Sequence, residues 1–440
     1  MELRRRIRWV VRHGLVRRTV QRQVRAGDLG SRLMIDPAIR EDPYPYYDEI
    51  RAQGQLVRTG LALITAHHKE CLDVLRSPDF GQMRLDLLPG ILRLGMKIGG
   101  RPVLGPIEPP SMLVADPPVH TRYRKLVTRA FSARAIHALR PRIEEIAEEL
   151  LDEIARSAHG APTMDLVQRY ASLLPATVIA EILGAPVQMR RQFLDWGEGA
   201  ALSLDVGLSY RDFRRSELDI AALHNWMLGH FAEVRRHPRD DVLSALVSAH
   251  DQGDQLSLDE LSSIAMLLLA AGFETTVNLL GNGAVLLMSH PDQLDALQAR
   301  PQLWPGAVEE ILRYESPVQR TGRVALQDTE VAGRPVRTGS LIVLLLGGAN
   351  RDPEVFRDPH RFDVQRPEAD QHMAFSSGIH YCVGARLARL EGEVGLRALF
   401  RRFPGLTLAG TPHRRPTRVL RGYDAIPVRK ISAAPTRSGG

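Results

Sequence analysis

The chain has 440 residues, a formal net charge of +7, 44% hydrophobic and 25% charged residues, an ordinary globular composition that excludes disorder and a small disulfide scaffold. Its two cysteines, Cys71 and Cys382, are too far apart in sequence for a paired metal motif or a disulfide framework, so a reducing cytoplasm is the expected compartment. The basic excess is confined to the first 25 and last 30 residues and the body between is mildly acidic, which argues against a nucleic-acid-binding face.

Residues 1–33 read as a basic extension. Ile7, Val10, Val11 and Leu15 recur between arginines in the pattern of an amphipathic helix that would at most touch an anionic membrane surface or pack loosely on the body. Residues 34–440 read as one domain without a linker. LVRTG and LALITAH predict a hairpin, and residues 78–118 a long loop region. Helical spacing runs from Val119 to about Val247, with breaks near Gly160, Gly184 and Gly207. Ser257 and Glu260 form a capping box, after which an apolar helix of 33 residues runs to His290 and is stopped by Pro291. No run reaches the ~20 apolar residues of a membrane span without interruption by polar groups. IAMLLLAAGF and LIVLLLGGA are therefore buried-core candidates. A helix between Pro305 and Pro317, short strands to about Arg337, and a last helix ending near Phe403 complete the pattern.

The segment FSSGIHYCVGARLAR, Phe375 to Arg389, carries the most chemistry. A thiolate that ligates iron needs its charge held by backbone N–H groups and kept from water, so glycines should admit the backbone and a helix should start just past the sulfur. Gly378 and Gly384 flank Cys382, and Phe375 is placed to shield it. At the centre of the long helix, AGFETT (Ala271 to Thr276) sets a glycine where it costs about 1 kcal/mol relative to alanine, so it calls for a reason. A threonine hydroxyl bonded back to a carbonyl near Ala271 would loosen the helical ladder there. Glu310 and Arg313 share a helical face, as do His120 and Arg124.

The order Phe375, Gly378, His380, Cys382, Gly384 resembles the cysteine-loop pattern of the cytochrome P450 family, the haem-thiolate monooxygenases, with Ser376 where the family often has glycine. The resemblance extends over nearly all of the chain after residue 34. It implies a mainly α fold, a triangular helical prism with a small β-rich region, and haem b (iron protoporphyrin IX) bound through Cys382. By the same resemblance His120, Arg124, Arg323 and His380 hold the haem propionates, Ala271 borders the dioxygen groove, Thr275 steadies the iron-bound oxygen, Glu274 relays protons from solvent, and Glu310, Arg313 and Arg366 form a structural triad. Arg122, Lys125, Arg129 and Arg386 suggest a basic patch for an acidic ferredoxin, itself served by a ferredoxin reductase. The expected activity is hydroxylation of an apolar small molecule such as a polyketide, fatty acyl chain or steroid. The residues near Leu87–Leu104, Phe193–Phe213, Leu268–Ala271, Val318 and Tyr423 are expected to line its pocket. A peroxide-using hydroxylase of the same fold and a non-catalytic haem sensor are the alternatives, and the Glu274–Thr275 pair argues against both.

Overall fold

Helix boundaries along this chain follow its caps and breakers. The computed structural model describes residues 2–82, 98–100, 102–157, 163–239, 241–251 and 256–429. The arginine-rich N-terminus forms α1 (Glu2–Trp9) and α2 (Leu15–Arg25), joined by a π-type turn at Val10–Gly14. The helices that position the site are α3 (His68–Arg76), α4 (Val119–Thr128), α5 (Arg140–Ser157), α6 (Leu173–Ile182), α7 (Arg190–Leu202), α8 (Tyr210–Arg236), α9 (Leu258–Ser289), α10 (Trp304–Tyr314) and α11 (Ala385–Arg402). Gly184 and Gly207 separate α6 from α7 and α7 from α8, both in left-handed backbone conformations. The break expected near Gly160 lies outside the described residues.

The long helix α9 begins at the expected capping box: the Ser257 hydroxyl accepts the Glu260 N–H, and the Glu260 carboxylate accepts the Ser257 N–H. A helix apolar on every side must be enclosed by other elements, and α9 is. It is the one described helix long and apolar enough to cross a membrane, and 83% of that stretch is buried inside the protein. It packs on α6, α7, α8 and α11. Small residues set the approach of α11: a Cβ on Gly283 would meet Leu396 Cδ1 at 2.7 Å, and one on Gly395 would meet Leu280 Cδ2 at 2.9 Å.

The predicted hairpin forms as β1 (Val57–Arg58) and β2 (Leu63–Thr65), with Val57 opposite Ile64. It joins a five-stranded sheet with β3 (Phe80–Gly81), β4 (Thr321–Ala325) and β5 (Leu341–Leu344), in the order β1-β2-β5-β4-β3. Only the β2–β5 pairing is parallel. Strand β5 arises from LIVLLLGGA, a run too short and too uniformly apolar for periodicity to tell strand from helix. Near the C-terminus β6 (His413–Arg414) and β7 (Tyr423–Ala425) pair antiparallel. The main hydrophobic core lies between α4 and α11, and a smaller one lies under the sheet.

Candidate functional site

The loop Phe375–Gly384 hangs between α3 and α11. The Cys382 N–H donates to the Phe375 carbonyl (3.0 Å) and the Tyr381 N–H to that of Gly378 (3.1 Å). Gly378 has φ +68°, and a Cβ there would lie 2.2 Å from the carbonyl oxygen of Leu75 near the end of α3; no other residue fits. Ser376 also takes a left-handed φ of +62°, the physical reason glycine suits that position. Gly384 is the N-cap of α11, so the positive end of that helix faces the sulfur. Burial pushes the Cys382 thiol up, and the Gly384 N–H with the Arg124 and Arg389 guanidinium groups pulls it back. Cys382 is nevertheless accessible.

A second layer braces this loop. Arg389 lies over the Phe375 ring, 4.6 Å from its centroid, while its Nε bonds Glu309 Oε1 at 2.6 Å and its Nη1 reaches the Tyr381 hydroxyl at 3.1 Å. Burial works against the Glu309 carboxylate, but hydrogen bonds from His372 and Arg389 hold it down to about 2.

Four nitrogen-bearing side chains converge beside Cys382. His120 and Arg124 come from the first turns of α4, Arg323 from β4, and His380 from the cysteine loop. The rings of His120 and His380 are 4.3 Å apart. Burial, with Arg323, His120 and Arg124 nearby, lowers His380 to about 3. Burial also lowers Arg323 to about 10, Asp116 acting weakly against it. Among the described residues the Arg323 guanidinium reaches the Gly322 carbonyl and the Thr321 hydroxyl, and His380 Nε2 is buried without a hydrogen-bond partner. Among the described residues no carboxylate hydrogen-bonds any of the four. Two guanidinium groups and two imidazole rings, buried or half-buried without a carboxylate, call for anions. The two propionates of a haem, with its iron toward Cys382, match that donor set.

On α9 the Thr275 hydroxyl bonds back to the Ala271 carbonyl at 3.2 Å, as the sequence suggested, but the helix is not interrupted. Gly272 has a different reason: a Cβ there would meet Ile179 Cγ1 of α6 at 2.6 Å. Ala271 is exposed, and Gly272 and Thr275 partly so, within a stretch otherwise buried, so this one face of α9 is uncovered. Glu274 is buried and paired with Arg415 from the turn after β6. Burial raises its carboxyl, Arg415 opposing.

Glu310 and Arg313 are fully buried, with Nε–Oε2 2.6 Å and Nη2–Oε1 2.8 Å. Arg366 Nε approaches the same carboxylate at 3.3 Å, and the two arginines together bond the carbonyls of Asn350, Pro359, Arg361, Arg357 and Asp358. The triad thereby ties α10 to the irregular 350–366 segment that leads to the cysteine loop. On α4, Lys125 and Arg129 are exposed, as is Arg386 on α11, whereas Arg122 turns to the α9 cap and bonds Glu260.

Several expected pocket residues lie elsewhere. Phe193 packs against Trp226, their rings 4.9 Å apart, and Phe213 against His13 at 5.2 Å. Tyr423 covers Gly281 beneath Arg414. The apolar contact over Ala270 is made by Ala200, Ile220 and Val103; residues 83–97 and 101 of the expected loop lie outside the described residues. Sequence reasoning missed Arg415, Arg389 and Glu309, because an arginine or glutamate in a charge-rich helix or tail has no local signal of its buried partner.

The family model for Cytochrome P450 matches residues 302–419. The chain is 47% identical over 436 residues, 98% of both chains, to the protein of Mycobacterium tuberculosis named putative cytochrome P450 140. It is 44% identical to the 6-deoxyerythronolide B hydroxylase of Saccharopolyspora erythraea, over 72% of this chain and 78% of that one. The structure of P450BioI with an acyl carrier protein bearing hexadec-9Z-enoic acid superposes with TM-score 0.80 at 32% identity, covering 90% of this chain and all of that one. With the thiolate loop, the cationic cluster and these relatives in agreement, the chain belongs to the cytochrome P450 family of haem-thiolate monooxygenases.

Proposed function

We propose that the protein hydroxylates an apolar polyketide, fatty acyl or steroid-like substrate in the cytoplasm, with electrons from a ferredoxin and its reductase. The observation that carries the haem assignment is the cluster of His120, Arg124, Arg323 and His380 beside Cys382, the first and third buried, the others half-buried, and none hydrogen-bonded to a carboxylate among the described residues. In this reading Cys382 ligates the iron of haem b, and the Arg124 and Arg323 guanidinium groups with the His120 and His380 imidazoles hold its propionates. Phe375, Gly378 and Gly384 shape the thiolate loop: the first shields the sulfur, the second lets the chain pass Leu75, and the third presents its N–H. Once bound, the haem supplies reductive activation of dioxygen and transfer of one oxygen atom to a C–H bond.

This chain's own residues handle the proton traffic. Thr275, on the uncovered face of α9 with Ala271, can exchange its bond to the Ala271 carbonyl for one to a ligand atom. Glu274 holds a proton more readily than an exposed glutamate, because burial raises its carboxyl. It can pass that proton toward Thr275 once Arg415 yields. Glu310, Arg313 and Arg366 have a structural role.

The substrate class rests on the apolar cover of Ala200, Ile220 and Val103, and on the relatives named above, a polyketide hydroxylase and a fatty-acyl complex. The exposed Lys125, Arg129 and Arg386 support docking of an acidic ferredoxin; any membrane contact falls to the outward arginines of α1 and α2. The deciding experiment is the ferrous carbonyl spectrum of the purified protein, where a red-shifted Soret band lost in Cys382→Ser is expected; a colourless protein refutes the reading. Turnover with ferredoxin, reductase and NAD(P)H, compared with peroxide alone, separates the monooxygenase from the peroxide-using alternative. Charge reversal at Lys125 and Arg129 should slow the ferredoxin-driven rate and flatten its salt dependence.

A further inference from the structure

The N-terminal helices do not pack loosely. Their inner face inserts three arginines, a tryptophan and a histidine into the side of the molecule where α8 meets the segment around Gly99–Glu108. Arg5 Nε bonds Glu217 Oε2 at 2.9 Å, and Arg8 bonds both oxygens of the same carboxylate at 2.8 and 2.9 Å. The remaining nitrogen of Arg8 donates to the Gly99 carbonyl at 2.7 Å. One guanidinium thus joins α8 to the 99–108 segment. Arg12 forms a two-pronged pair with Glu108. The Trp9 indole N–H donates to the Leu208 carbonyl (2.9 Å), and the Leu208 N–H donates to His13 Nδ1 (3.3 Å). Glu217 and Glu108 are both buried, so these are charge-assisted bonds shielded from water, stronger than exposed pairs.

The two elements held together meet over Ala270, beside the uncovered face of α9. Ile220, one turn beyond Glu217, and Val103 meet over Ala270, the neighbour of Ala271. A Cβ on Gly105 would touch Ile220 Cγ2 at 3.0 Å. For an apolar molecule to reach Ala271 between these elements, Ile220 must part from Val103 and Gly105, and α1 with the following turn bridges that seam from outside.

We infer that α1 and the turn after it form a clasp on substrate admission, in which Arg8 and Arg12 are positioning residues that hold α8 against Gly99 and residues 102–108. The inference rests on the proposed location of the substrate pocket. The clasp sets how fast bulky molecules enter and leave, while affinity, fixed by contacts inside, changes little.

The test uses the full-length protein carrying haem, with Arg8→Glu, Glu217→Arg, the Arg8→Glu/Glu217→Arg double variant and Arg8→Lys. Stopped-flow Soret changes report binding of a bulky azole, econazole, and of cyanide, which is small enough to slip past a closed cover. Each reversal should raise the econazole association and dissociation rates by about tenfold, the effect expected on losing a shielded charge-assisted bond, and leave cyanide association unchanged. Arg8→Lys, which keeps a donor for Glu217 and the Gly99 carbonyl, should fall back toward the wild-type rates, whereas the double variant should stay fast, because a glutamate at position 8 cannot donate to Gly99 and an arginine at position 217 faces Arg5. Unaltered econazole rates overturn the clasp, as does equal acceleration of cyanide, which would signify general loosening. Hydrogen exchange at the Val103 and Gly105 amides, faster in the reversals and restored in Arg8→Lys, reads the clasp independently of haem. A protein with no Soret band but with that exchange pattern would refute the haem reading and leave the clasp standing.

Discussion

Removing Arg415 from its pair with Glu274 is the most informative perturbation of the site. Both side chains are nearly enclosed, with relative exposures of 11% and 5%, and Arg415 Nε also holds the Tyr423 carbonyl at 3.1 Å. Breaking a buried pair by deleting one partner costs about 3–5 kcal/mol, since the remaining charge stays desolvated. For a chain of 440 residues, the usual unfolding entropy per residue converts that into a melting-temperature drop of about 3–5 °C. Glu274 has an escape, because it can protonate. Its carboxyl is already raised by burial, and without Arg415 it rises further. A carboxyl raised on folding contributes stability below its unfolded pKa and loses it as pH rises through the folded pKa. Thermal melts of Arg415→Leu should therefore show a deficit against wild type that is largest at alkaline pH and shrinks toward pH 5. The double variant Arg415→Leu/Glu274→Leu should recover most of the loss at alkaline pH, because no unpaired charge remains. A single-variant deficit under about 1 kcal/mol, or one that does not vary with pH, would refute the picture of a buried pair.

Ser376→Gly should stabilise the fold by about 1 kcal/mol, because it relieves the left-handed strain and removes a buried hydroxyl that lacks a partner; an unchanged or lower denaturant midpoint would argue against it. Glu391 is buried in α11 with Oε2 unpartnered, and burial raises its carboxyl well above 4.5. The wild type should lose stability as pH rises from that value, a slope that Glu391→Gln should reduce in melts across the same range. Thr275→Ala should retain haem and substrate-induced spectral shifts but divert reducing equivalents to peroxide; product formed per NAD(P)H oxidised measures this, and undiminished coupling would remove Thr275 from the proton path.

Local signals were enough to mark what must be built around one atom. Cys382 with Gly378 and Gly384, the capped helix through Thr275, and the Glu310–Arg313 spacing are readable because a tight turn, a cap and a helical face each depend on residues within a few positions. The same locality set the limits. Gly272 was marked as needing a reason, and the reason proved to be Ile179 on another helix. Tyr423 and Phe193 stand in stretches expected to line the pocket, and their own side chains pack elsewhere because of what lies opposite them.

The sequence by itself determined the capped start and proline stop of the long helix, the thiolate loop and the family pattern, since short-range stereochemistry and spacing encode them. Only the tertiary structure decided which charges meet. Arg415 on Glu274, Arg389 on Glu309, and Arg5, Arg8 and Arg12 on Glu217 and Glu108 are pairs separated by 80 to 212 positions. An arginine in sequence carries the same charge whether it ends in water or against a buried carboxylate. Its partner is fixed by the packing of apolar faces that brings distant elements together.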